Sequence, residues 1–88
     1  MNKNYYNNVA EIVPNDGRKS FYGKAWEYED SGKIYLVSYN TVVASLDYDG
    51  NCEVKGLYSA TTTRHIKAWL EKHNMPYKDS KDIVKRYC

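Results

Sequence analysis

Turn chemistry recurs at regular intervals through the first two thirds of the chain: Pro14-Asn15-Asp16-Gly17, Asp30-Ser31-Gly32, Asn40-Thr41 and Asp49-Gly50-Asn51. Proline and glycine supply the φ values that tight turns need, Asn and Asp side chains close them, and Asp-Gly is a strong hairpin signal. Four turns delimit five extended segments. Between the turns stand Val, Ile, Tyr and Trp, the types that fit a pleated, half-buried surface, and the spacing predicts strands over 9–13, 20–28, 33–39, 42–48 and 52–58. Connections this short join antiparallel neighbours, so a meander is the simplest topology.

After Tyr58 the apolar period changes from two to 3.6. Ser59, Thr61, Thr62 and Thr63 offer caps, and Ile66, Trp69, Leu70 and His73 then recur at i, i+3, i+4 and i+7, the stripe of an amphipathic helix of about three turns. Lys67 and Glu71 are spaced as an i, i+4 pair on its outer side. Asn74 can adopt the left-handed conformation and Pro76 cannot continue the helix, which ends it there. A second short helix is expected from Ser80, with Ile83, Val84 and Tyr87 spaced to touch one surface. The fold class read from this pattern is α+β: an antiparallel meander sheet of four to five strands, one amphipathic helix packed on one face and a short C-terminal helix. With 88 residues, residues 1–88 are expected to form a single domain.

Strand alternation assigns faces. Val42, Ala44, Leu46 and Tyr48 share one side of the fourth strand, taken as the core face, with Phe21, Ala25, Ile34, Leu36, Cys52 and Val54 as companions under the helix stripe. The opposite face then carries Tyr22, Lys24, Trp26 and Tyr28 beside Tyr35, Val37 and Tyr39. The composition sharpens that picture: the chain holds ten tyrosines and two tryptophans but one phenylalanine, so its aromatic surface mostly carries a polar handle. Such a face can stack unpaired bases or anchor a protein partner. It can equally be stabilised by cross-strand aromatic pairs without any ligand, or be covered by the first strand or the C-terminal segment.

A second candidate site is the strand-to-helix junction, Tyr58, Ser59, Thr61, Thr62, Arg64 and His65, where a helix N-terminus, hydroxyls and a guanidinium suit a phosphate or carboxylate. The same hydroxyls are what a capped helix needs anyway. No G-x-S-x-G pattern accompanies them. His65 and His73 lie about 12 Å apart along a helix, too far to share a metal, and neither Cys52 nor Cys88 belongs to a C-x-x-C pair; no metal or cofactor is expected. Asp47-Tyr48-Asp49-Gly50-Asn51 lacks the spacing of a calcium loop and reads as a hairpin turn. The residues therefore suggest no enzyme.

The net charge of +2 argues against a strongly basic nucleic-acid binder, although the balance is uneven: residues 1–50 hold five Lys/Arg against seven Asp/Glu, and residues 51–88 hold eight against four. The sequence contains no apolar run long enough to span a membrane and no apolar signal region at its start. A cytoplasmic protein with reduced thiols is the expectation, with a homodimer bridged through Cys88 as a variant.

The run YSATTTRHI followed by KAWL, with GRKSFYGKA and VSYNTVVA upstream, resembles a family of small phage and mobile-element proteins of Firmicutes, a domain of unknown function. The shared pattern is Tyr-Ser-Ala-Thr-Thr-x-Arg-His-Ile ahead of an amphipathic helix. It falls here on Tyr58, Ser59, Ala60, Thr61, Thr62, Arg64, His65 and Ile66, and the resemblance spans residues 6–70. Trp69 stands where Phe is more usual. No activity comes with the resemblance; what it implies is a setting inside an infected or lysogenic bacterial cell. The first expectation is a non-catalytic protein that occupies the surface of a host or phage protein, in its concrete form an anti-CRISPR-like inhibitor of host defence. The alternative is a single-stranded nucleic-acid binder, stacking bases on Tyr22, Trp26, Tyr35 and Tyr39 and meeting phosphates with Arg64, Lys67, Lys72, Lys81, Lys85 and Arg86.

Overall fold

A computed structural model describes residues 6–14 and 20–88; Asn15, Asp16 and Gly17 of the first expected turn lie outside them. Five strands, β1 (Asn7–Glu11), β2 (Ala25–Asp30), β3 (Lys33–Ser38), β4 (Thr41–Asp47) and β5 (Cys52–Val54), precede α1 (Ala60–Lys72) and α2 (Ser80–Tyr87). The strands form one antiparallel sheet in the order β1-β2-β3-β4-β5. It is the meander that the short connections dictate. Ser31 and Gly32 both take positive φ between β2 and β3, the type I′ sign pattern that matches strand twist. At the β4–β5 turn the Asp47 carboxylate accepts from the Asp49 and Asn51 N–H groups and from Asn51 Nδ2. Those bonds, Asn51's foremost, hold the Asp47 carboxyl below its ordinary range; its hydrogen-bonding capacity serves the turn.

The strand bounds differ from those that alternation suggests: β1 ends at Glu11 rather than at 13, β2 starts at Ala25 rather than at 20, and β3, β4 and β5 end at Ser38, Asp47 and Val54. Residues 20–24 form a turn rather than the start of β2, residues 55–58 leave the sheet after Val54, and Tyr39 falls beyond the end of β3. Residue types favourable to strands continue through these segments, but Tyr22, Gly23, Tyr39 and Tyr58 sit at positive φ, outside the extended region that regular strand pairing needs.

Both helices share the core on one face. Ile66, Ala68, Trp69 and Leu70 of α1 and Ile83 of α2 pack with Phe21, Ala25, Leu36, Val43, Ala44, Leu46 and Val54, and with half-buried Ile34 and Cys52. Two expectations about this face are corrected. Val37 pairs with Val42 and Leu36 with Ala44, so Val43 is an extra residue in β4; such a bulge resets the alternation, sending Val43 into the core and Val42 to the far face. Tyr48 lies past the end of β4 and is exposed, its hydroxyl bonded to Glu29.

Helix ends follow their capping chemistry. Ser59 Oγ accepts the Thr62 N–H at 3.1 Å. At the other end Asn74 takes φ 57°, with Asn74 N–H donating to Glu71 O at 3.2 Å and Met75 N–H to Leu70 O at 2.8 Å, the paired bonds of a Schellman motif. In α2, Asp79 caps the Asp82 N–H and Asp82 pairs with Arg86 at 2.7 Å. Ile83 is buried and Tyr87 half-buried, its hydroxyl donating to Pro76 O. Val84, expected beside them, is exposed. Lys67 and Glu71 form no ion pair; Glu71 instead accepts the Tyr77 hydroxyl at 2.9 Å. Burial first, and then this bond, push the Tyr77 phenol up to about 12. Among the described residues, no helix is long and apolar enough to cross a membrane.

Candidate functional site

The aromatic face expected on the sheet exists in part and is largely closed. Trp26, Tyr28 and Val37 are buried, with Tyr6, Tyr35 and Val42 packed against them. Tyr28 and Tyr35 are a cross-strand pair, stacked with centroids 5.2 Å apart. Tyr6, just before β1, closes on Tyr28 at 4.0 Å and on Trp26 at 6.2 Å. Burial, reinforced by Tyr6, Tyr35 and Asp30, raises the Tyr28 phenol above its ordinary value. With Trp26 at 2% exposure and Tyr28 at 7%, these rings stack on one another. Tyr22, Lys24 and Tyr39 do not join that face: each lies in a turn outside β2 and β3, where the two-residue period has stopped.

At the junction, the six expected residues separate into a buried base and an exposed rim. Ser38 Oγ lies 2.9 Å from Thr62 Oγ1 and 2.8 Å from His65 Nδ1, and all three residues are buried. Phe21 meets the His65 ring edge-on at 4.5 Å, Tyr39 lies 5.7 Å from it, and the Arg64 guanidinium sits 5.2 Å over the Phe21 ring. Burial, with Arg64 adding to it, lowers the His65 imidazole below its ordinary 6.5, so this network holds a neutral histidine at neutral pH. Ser59, Thr61 and Tyr58 remain exposed.

The sign of that shift sets a pH dependence. A histidine protonated more readily unfolded than folded gives stability above the unfolded value and loses it as pH falls from 6.5 towards the folded value. Urea midpoints measured from pH 7.5 to 5 should fall for the wild type and fall less steeply for His65→Gln. Equal slopes would show that His65 does not titrate against folding.

Three further observations define what this end of the molecule offers. Tyr22, Tyr39 and Tyr58 have φ of 54°, 59° and 38°, and they are 84%, 47% and 67% exposed. A bulky residue in the left-handed region is a true outlier, costing about 1–2 kcal/mol relative to ordinary backbone. Tyr22 precedes Gly23, also at positive φ, in a turn closed by Lys24 N to Phe21 O at 3.0 Å; Tyr39 takes the first central position of the β3–β4 hairpin, where positive φ normally brings glycine. All three gather at one end of the sheet. Tyr39 N–H donates to Lys24 O at 2.7 Å, Ser38 binds the first turn of α1, and the Tyr58 ring lies over Gly56 just ahead of that turn.

Beside this end runs a shallow cleft of about 210 Å³, walled by Pro14, Phe21 and Ala68 and edged by Arg64, Lys67, Glu71 and Tyr77. The half-buried Cys52 thiol is pushed up to about 11 by burial, a thiol inert at neutral pH. No cluster of three or more His, Cys, Asp or Glu side chains could hold a metal among the described residues.

Sequence reasoning passed over Ser38 and Glu27. Ser38 gave no local signal, because its partners are 24 and 27 positions away. Glu27 did give one: period two places it on the Ala25 side, under the helix, and a carboxylate there needs a partner. Its oxygens receive His73 Nε2 at 2.7 Å and Lys72 Nζ at 3.0 Å. Ser38 and Glu27 thus clamp the two ends of α1 to the sheet.

No curated protein and no solved structure is significantly similar to the chain. A family model does match, over residues 8–86, which takes in all of the sheet but Asn7, the junction and nearly all of α2: the chain belongs to the family of unknown function DUF8033.

Proposed function

We propose that this protein is a non-catalytic binding module that docks on another protein through the tyrosine-bearing end of its sheet. The observation that carries the reading is the placement of Tyr22, Tyr39 and Tyr58, three exposed aromatic residues at positive φ on adjacent segments. Strained backbone persists where the surroundings impose it, and it concentrates at ligand-contacting sites. Tyrosine is also enriched at interface hot spots, since it brings large area with few torsions to freeze. Beneath it, the Ser38–Thr62–His65 network and α1 provide a rigid base, which lowers the ordering cost of association.

Stacking of single-stranded nucleic acid on Tyr22, Trp26, Tyr35 and Tyr39 as one face has less support, because Trp26 is buried, Tyr35 packs against the buried cluster and the exposed Tyr22 and Tyr39 lie in turns off that face. The narrower form of the proposal, inhibition of a host defence effector by a phage-encoded protein, rests on the likeness of the Tyr58–Ile66 motif to phage-borne sequences.

The test is recovery of partners from a bacterial host lysate by tagged wild type and by the Tyr22→Ala, Tyr39→Ala, Tyr58→Ala variant. Partners recovered at least about tenfold less by the variant would match hot-spot residues; equal recovery would sink the reading. Tyr22→Gly separates function from folding. It is expected to leave thermal stability unchanged or raise it by up to about 1 kcal/mol, because glycine relieves the left-handed strain, while it weakens partner recovery. A clear loss of stability would mean that the Tyr22 side chain serves the fold.

A further inference from the structure

We propose that the free edge of β1 takes an extended segment of another protein as an added strand, one with a Lys or Arg opposite Glu11 and apolar residues opposite Val9 and Val13. The two edges of the sheet are β1 and β5, and they differ. β5 is three residues long and α2 packs against it. Along β1, Ile12 N–H donates to Ala25 O at 3.0 Å and Ala10 stands opposite Glu27, so Ala10 and Ile12 turn their backbone groups to β2. Alternation then points those of Val9, Glu11 and Val13 away from the sheet. Among the described residues, none of these three has a partner for its outward N–H or C=O.

Sheet edges are commonly guarded by lysines, by proline or by a covering element, since an open edge templates pairing with any extended chain. Here the outward residues are Val9, 38% exposed, Glu11, and Val13, 55% exposed, and one Glu11 oxygen is turned to the Gly23 N–H at 3.1 Å. The bulge at Asn8, where φ is 52°, and Pro14, which has no N–H, confine pairing to residues 9–13. A second copy of this chain suits that edge poorly. The antiparallel register that pairs all of residues 9–13 sets Glu11 opposite Glu11, and like charges directly opposite destabilise a strand pair. A basic residue would instead meet the other Glu11 oxygen, and apolar residues would cover Val9 and Val13. Strand addition of this kind draws affinity from main-chain hydrogen bonds and specificity from alternate side chains. The edge belongs to β1 and not to the segments bearing Tyr22, Tyr39 and Tyr58, so the inference does not rest on the docking reading above.

Titration of the isotope-labelled full chain with the capped peptide Thr-Val-Thr-Lys-Thr-Val-Thr, read by amide shifts and hydrogen exchange, tests this. Saturable shifts over residues 9–13 and slowed exchange of the Val9, Glu11 and Val13 amides are expected, with binding about fivefold tighter than for the peptide carrying Glu in place of Lys. In Glu11→Gln, which keeps an oxygen for Gly23, that preference should vanish while saturable binding persists. The Val9→Lys, Val13→Lys variant changes exposed sites and should keep its melting curve, yet bind the Lys peptide at least about fivefold more weakly as its apolar cross-strand pairs are lost. No saturable shift at millimolar peptide, shifts confined to residues outside 9–13, or equal affinity for the two peptides would each overturn the proposal. So would a dimer in sedimentation equilibrium that the Val9→Lys, Val13→Lys variant abolishes, since the edge would then belong to a second copy.

Discussion

Trp69→Ala is expected to leave the domain largely unfolded at 37 °C. Trp69 is fully buried on the stripe of α1 between Ile66 and Leu70, and truncating a buried Trp costs about 3–5 kcal/mol through lost transfer energy and the cavity left behind. A domain of this size has a total stability of roughly 4–13 kcal/mol. Trp69→Phe should behave differently. The indole Nε1 is buried and meets no acceptor, and an unsatisfied buried donor costs about 1–3 kcal/mol. Phenylalanine removes that cost while forfeiting part of the ring volume, so the net loss should be under about 1.5 kcal/mol. Chemical denaturation of the two variants checks both figures; a Phe variant as damaged as the Ala variant would mean that indole shape, rather than aromatic bulk, holds the helix.

Glu27→Ala should cost roughly 2–3 kcal/mol, a fall in melting temperature of about 8–20 °C. Removing the acceptor of a buried charge pair is expensive because the remaining group is stranded, but Lys72 is 41% exposed and recovers water when released, which places the effect below that of a fully buried pair. His73, at 17% exposure with its edge against Trp69, has less recourse to solvent. Lys72→Ala is accordingly expected to cost less than about 1 kcal/mol, and Glu27→Gln to fall between, since one side-chain oxygen can still accept. A thermal melt series orders the three; Lys72→Ala matching Glu27→Ala would relocate the energy from His73 to Lys72.

How much was legible beforehand follows from the range of each signal. Hairpin turns, the helix stripe and its stop are local, and Ser31-Gly32, Asp47 with Asn51, Ser59 and Asn74 all perform the roles that their chemistry suggests. The same locality explains the errors. Period two carries the face assignment only while the backbone stays extended and paired one to one, so the extra Val43 exchanged the sides of Val42 and Val43, and left-handed Tyr22 and Tyr39 dropped off the aromatic face. Of the two candidate sites, the junction keeps its exposed rim, whereas the sheet face is spent on packing against itself.

The sequence by itself determined the order of strands and helices, the antiparallel meander and the stripe that buries α1, because turn residues and apolar periods act within a few positions. Only the tertiary structure decided that the aromatic face would close, that Ser38 and Glu27 would clamp the helix, and that Tyr22, Tyr39 and Tyr58 would meet at one end of the sheet. Each of those outcomes depends on contacts between residues far apart in the chain, and no local pattern encodes which distant side chain arrives opposite another.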